Sequence, residues 1–291
     1  MIIIRLKGGM GNQLFQYAFG RQLAYQLKTG LKLDLSSLLD RSKGDFVYRD
    51  YDLSVFNINA EFVHPPSTLR AVYKLKSSSV TKFIRRRIDR GRQYIKETHF
   101  HLHPELLSEP VDNAVYEGWF QSPKYFTAVD DDLRREFTFR HAILPESQVL
   151  LQKIQQVNAV CLNVRRTDFL KVDTLNTTDQ AYFLKAAHLI AEKVVEPHFF
   201  VFSDDIDWCR ENIRLDHPIE VVDHLHKGYK FGNYLQLMRA CKHFIIPNSS
   251  FAWWAVWLNE RPDKLVIAPK NWFNDLSIDT SDLIPSNWIR L

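Results

Sequence analysis

Short continuous apolar runs and helically spaced apolar stretches alternate along this chain. Residues 2–7 read as a strand, and Gly8-Gly9-Met10-Gly11-Asn12-Gln13 turns it into an amphipathic helix carrying Leu14, Phe15, Ala18, Leu23 and Leu27. Gly30 stops that helix before a second strand-like run, residues 31–35. Residues 40–70 mix polar residues with Tyr48, Tyr51, Phe56 and Phe62 and read as loops with short elements. A further strand is predicted over 114–120, with Gly118-Trp119-Phe120-Gln121-Ser122-Pro123 as its exit and a helix running from Lys124 toward Phe137.

The second half is more regular. Strands at 159–164, 199–202, 219–222, 243–246 and 265–268 alternate with helices at 179–194, 206–213, 233–240 and 251–259. Strands alternating with helices of this length predict a parallel, doubly wound sheet. The expected organisation is two α/β, Rossmann-like domains, 1–150 and 151–291, facing a central cleft.

Composition narrows the function. The chain has 291 residues, with 38 Lys and Arg against 34 Asp and Glu, and a net charge of +4 is too small to point to nucleic acid. Cys161, Cys209 and Cys241 lack the spacing of a disulfide framework or a zinc cluster. Arg5 and Lys7 interrupt the first apolar run, and no stretch of roughly 18 apolar residues follows, so a cytoplasmic location is expected. Residues 74–92 carry Lys74, Lys76, Lys82, Arg85, Arg86, Arg87, Arg90 and Arg92 against Asp89. That is either a solvated helix face or a peripheral foothold on an anionic membrane.

Polar groups cluster where strands end. Val160-Cys161-Leu162-Asn163-Val164 breaks into Arg165-Arg166-Thr167-Asp168, and in open α/β sheets ligands bind just beyond the carboxyl ends of strands. Two guanidinium forks there suit a phosphate or pyrophosphate, the alternative being a surface ion pair with Asp168. The glycine loop Gly8 to Gln13 has the chemistry of an anion cradle. Asp34 lies where a dinucleotide fold would place its ribose-binding acid, but Leu14 replaces the third glycine, and no Gly-Lys-Ser/Thr marks a P-loop. Asn248, Ser249 and Ser250 are either helix caps alone or caps that also receive a phosphate. Asp204 and Asp205 are either a cap or acceptors for a guanine edge or ribose. The Asp-x-Asp spacing of Asp205 and Asp207 is a weak metal signature. Trp253, Trp254 and Trp257 read as core, and Trp119 as a candidate for stacking on a sugar.

These stretches together resemble glycosyltransferase family 11, the α-1,2-fucosyltransferases. The resemblance is carried by Gly8-Gly9-Met10-Gly11-Asn12-Gln13-Leu14-Phe15-Gln16-Tyr17-Ala18, by Gly118 to Phe126, by Phe202-Ser203-Asp204-Asp205 and by Pro247 to Trp254. The central stretch is similar to the pattern His-x-Arg-Arg-x-Asp, with Asn163 at the position of the histidine. The resemblance implies a GT-B-like fold and inverting, metal-independent transfer of L-fucose from GDP-β-L-fucose to the 2-hydroxyl of a terminal β-galactoside, with no cofactor. It assigns catalysis to Arg165 and Asn12, and donor binding to Gly9, Met10, Gly11, Asn163, Arg166, Asp205, Asn248, Ser249 and Ser250. Trp119 and Asp34 are assigned to the acceptor. No residue is identified as the base. A transferase of another linkage or acceptor, a noncatalytic GDP-sugar-binding protein and a dinucleotide oxidoreductase are the rival readings.

Overall fold

Three consecutive isoleucines give a strand no polar face, so it needs cover on both sides. In the computed structural model, which describes residues 1–40, 48–64, Phe83, Arg87 and 91–291, that strand is β1 (Ile2–Arg5), fully buried at the centre of a sheet. Its neighbours are β2 (Leu31–Asp34) and β3 (Glu61–Phe62) on one side, and β5 (Ala114–Glu117) then β4 (Gln93–Lys96) on the other. All four pairings are parallel. The chain leaves β1 toward β2 and returns on its far side, which makes β1 the topological switch point where such sheets expose a crevice.

The second sheet repeats the plan. β6 (Asn158–Val164) pairs in parallel with β7 (Pro197–Ser203) on one side and β9 (His243–Ile245) on the other. β8 (Ile219–Val221) extends the first side, and β10 (Val266–Ala268) and β11 (Ile289–Arg290) the second. Its switch strand is therefore β6. Val160, Leu162 and Val164 of that strand pack with Phe183, Ala187 and Ile190 of the helix Gln180–Ala191. Trp253 and Trp254 are buried in the helix Ser250–Leu258, and the three cysteines are buried and free.

The chain divides into one unit of Met1–Arg140 with Ser281–Leu283, and another of His141–Thr280 with Ile284–Leu291. The division thus falls after Arg140 rather than near residue 150, because the helix Gln148–Gln156 packs with β6. The helix Met10–Gln26 differs from the amphipathic expectation in being buried on most of its surface, Gln13, Gln16 and Gln22 included. The strand expected over 114–120 stops at Glu117, and Phe120 beyond it adopts a left-handed backbone with φ 50°. The helix expected from Lys124 is a 3₁₀ stretch, Pro123–Val129, broken at Phe126 and followed by the helix Asp130–Glu136. The basic segment 74–92 lies almost entirely outside the described residues. Among the described residues no helix is long and apolar enough to cross a membrane.

Candidate functional site

At the end of β6 the two arginines have different partners. Arg165 holds Asp168 (Nη2 to Oδ1, 2.6 Å) and Asp204 (Nη1 to Oδ2, 3.0 Å) and is 25% exposed. The Asp168 contact is an ion pair without linear hydrogen-bond geometry. Arg166 donates from Nε to Asp205 Oδ2 at 3.2 Å, and its guanidinium lies 3.8 Å from the ring centre of Trp208. The ion pair weighed between an arginine and Asp168 is thus made by Arg165, while Arg166 turns to Asp205.

Asp204 organises the turn after β6. It accepts from the backbone of Arg166 at 2.9 Å and from the backbone and hydroxyl of Thr167. Asp205 caps the helix Ile206–Asn212, accepting from Trp208 N at 3.3 Å, so both of its oxygens are engaged within the unit. Asn163 is buried and donates to Phe202 O across the β6–β7 pair at 2.9 Å. Carboxylates and guanidinium forks alternate here, and each arginine is held in place by acids from the neighbouring strand end.

Beyond β9, Ser249 caps the helix Ser250–Leu258, accepting from Ala252 N. Buried Asn248 donates to Leu175 O at 2.8 Å and Trp272 O at 2.9 Å. Its Oδ1 has no hydrogen-bond partner and is open to an N–H or O–H donor. Since β6 and β9 are adjacent and parallel, Arg165 and the Asn248 to Ser250 turn emerge on the same edge of the sheet. Among the described residues no group of three His, Cys, Asp or Glu is placed to hold a metal ion. Asp207 is instead paired with Arg210 on the surface.

In the first unit the glycine loop leaves β1. Gly8 takes φ +76°, and a Cβ there would stand 2.4 Å from Asn12 Nδ2. Gly9 starts the helix Met10–Gln26 without a side-chain cap. Asn12 accepts from Gln121 Nε2 at 2.7 Å, which joins the β1 and β5 exits. Met10 and Gly11 are buried in the first turn. Asp34, assigned to the acceptor from the sequence, is instead a buried structural acid: Oδ2 meets Arg5 Nε at 2.6 Å and Ser36 Oγ at 2.9 Å, and Oδ1 takes Ser36 N at 2.8 Å. Trp119 is 37% exposed and lies on the edge that also carries the glycine loop.

Two residues inside the quoted opening motif have roles that periodicity did not reveal. Buried Gln16 accepts from Lys7 N at 3.0 Å, donates to Lys7 O at 3.2 Å and donates to Gly118 O at 3.0 Å. Gln13 donates to Gly8 O and Asp50 O and accepts from Asp52 N. The signal available was two amides on the apolar face of a helix, where buried polar groups need partners.

Comparison with known proteins identifies the family and the fold. The chain matches the family model described as glycosyl transferase family 11 over residues 1–291. It is 29% identical to an alpha-1,2-colitosyltransferase of Escherichia coli, over 100% of this chain and 99% of that protein. It is 27% identical to galactoside alpha-(1,2)-fucosyltransferase 1 of Rattus norvegicus, over 57% of this chain and 45% of that protein. A mutant of Arabidopsis thaliana FUT1 solved with GDP superposes with a TM-score of 0.51 and 11% identity, over 93% of this chain and 71% of that one. That likeness is one of fold, and the fold is GT-B-like.

Proposed function

Because the chain belongs to glycosyltransferase family 11, we propose that it transfers L-fucose from GDP-β-L-fucose to the 2-hydroxyl of a terminal β-galactoside, with inversion at the anomeric carbon. The observation that carries this reading is the whole-chain family match, together with an α-1,2 linkage in the names of both the bacterial and the mammalian relatives. The acceptor oxygen bonds to the sugar's C1 as the bond from C1 to the phosphate oxygen breaks, the hydroxyl proton passes to a phosphate oxygen of the leaving group or to water, and GDP departs with added negative charge. Arg165 meets that charge. A guanidinium carries five N–H donors, so the contacts to Asp168 and Asp204 leave donors for a phosphate oxygen while fixing its position.

Asn163, Arg166, Asn248, Ser249 and Ser250 border the donor on the second unit, and Asn12 with the amides of Gly9, Met10 and Gly11 forms an anion-binding turn on the first. Asp205 reads the guanine edge through lone pairs left beyond its cap and ion pair. These groups need no divalent ion, so transfer is expected to persist in EDTA; full loss rescued by manganese would overturn that part. A colitosyl donor is the second reading, favoured by the E. coli relative that matches along its whole length. The test is incubation with GDP-fucose, and separately with a colitosyl donor, against lactose and N-acetyllactosamine isomers, with linkage read by NMR. An α-1,2-fucosylated galactoside is expected; another linkage, or release of GDP without glycoside, would overturn the reading.

A further inference from the structure

Lys7 follows β1, Trp119 follows β5 and Glu97 follows β4. Since β1, β5 and β4 are adjacent and parallel, all three residues fall on one edge of the first sheet. Glu97 reaches across its neighbouring strand: Oε2 accepts from Trp119 N at 2.6 Å and Oε1 from Phe120 N at 3.1 Å. Gly118 makes this approach possible, because a Cβ there would stand 2.6 Å from Glu97 Cβ and 2.6 Å from the Phe120 ring. The clamped turn presents the Trp119 indole 37% exposed, with Lys7 Nζ 4.3 Å from its ring centre. Buried Gln16 fixes the backbones of Lys7 and Gly118 to one another.

We propose that Lys7, Glu97 and Trp119 form a pyranose-binding subsite in the first unit, which, resting on the function proposed above, receives the terminal galactose of the acceptor. A hexose has a face of C–H groups and a rim of hydroxyls, and an exposed indole beside fixed charges matches both. After accepting one N–H each, the Glu97 oxygens retain lone pairs for sugar hydroxyls, and the Lys7 ammonium offers donors to ring or hydroxyl oxygens. The chemistry is held ready by the fold: main-chain bonds fix the Glu97 carboxylate and the Trp119 backbone, and Lys7 lies over the indole ring. Burial pushes the Glu97 carboxyl up to about 7 and the Lys7 ammonium below its usual range, as expected for charges partly withdrawn from water. A clamp that only shaped the turn would need neither an exposed indole nor an ammonium on its face.

The test is titration of galactosides and a panel of other pyranosides into the GDP-bound full chain, followed by saturation-transfer NMR, with GDP affinity measured by calorimetry. Trp119→Ala and Lys7→Met are expected to weaken galactoside binding about tenfold or more, while GDP affinity stays within about twofold. Glu97→Gln, which loses one arm of the clamp, should raise the acceptor KM more than it lowers kcat. Galactoside constants within about twofold of wild type in both Trp119→Ala and Lys7→Met, with GDP binding intact, overturn the subsite. So does a wild-type chain that binds no pyranoside. Binding of another pyranoside in place of galactosides, lost in the same variants, upholds the subsite and overturns the acceptor named above.

Discussion

Arg165 and Arg166 are adjacent in sequence, yet one is braced by two carboxylates and the other lies against an indole. If Arg165 stabilises the departing diphosphate, Arg165→Lys removes a fork that a point charge cannot reproduce, and kcat should fall about a hundred- to a thousandfold with little change in donor KM. Arg166→Lys should instead cost stability, on the order of 1 kcal/mol from the Asp205 pair and the Trp208 contact, with kcat closer to wild type. Steady-state kinetics and melting curves on both variants check the contrast, and equal kcat losses would contradict it. Glu97 makes a prediction of its own. Its folded pKa is raised by burial from 4.5 to about 7, so between those values the folded chain holds a proton that the unfolded chain releases. Stability from this group is therefore lost as pH rises through that window, and the penalty is complete above it. Glu97→Gln should flatten the change in urea midpoint between pH 5 and pH 8.

The helix Met10–Gln26 shows what an element can hide from its own sequence. Its apolar positions announced a helix, and the glycines before it announced a close backbone approach. Gln16, however, is intelligible only once β1 and β5 lie side by side, and Gln13 only once Asp50 and Asp52 lie against the helix. Gln16→Leu fits the surroundings in size but strands the Lys7 and Gly118 backbone groups, each unpaired buried group costing about 1–3 kcal/mol. A clear drop in denaturation midpoint is expected, with faster amide exchange at Lys7; a neutral outcome would mean that water replaces the amide. The stretch from β6 to β10 was legible because each strand is an apolar run ending in polar residues, and the strand ends carrying Arg165, Asp205 and Ser249 followed from that alternation. Partner choice was not legible. Asp204 against Arg165, Asp34 against Arg5 and Glu97 over the Trp119 turn depend on register between strands distant in sequence. β3, β4 and β11 are short and carry no strong apolar run, so tertiary pairing defines them.

At the scale of the molecule, residues 281–283 return to the first unit while the flanking stretches belong to the second. The Asp282 carboxylate accepts from Leu102 N and its backbone carbonyl from Ser122 Oγ, each at 3.2 Å, and the carboxylate pairs with Lys124, whereas β11 shortly after it closes the edge of the second sheet. Asp282→Ala should therefore loosen the first unit alone: amide exchange quickens at Leu102 while the β10–β11 amides keep their protection. Truncation after Thr280 should quicken both, and a truncated chain with first-unit protection unchanged would contradict the assignment. The same excursion sets the rules for recombination. A hybrid made by joining the first half of one relative to the second half of another at a single seam after Arg140 would face Leu102 and Lys124 with a foreign residue in place of Asp282. Exchange of halves becomes self-consistent only when residues 281–283 travel with 1–140, so that the heritable block of the first unit is discontinuous in the gene although it is contiguous in space.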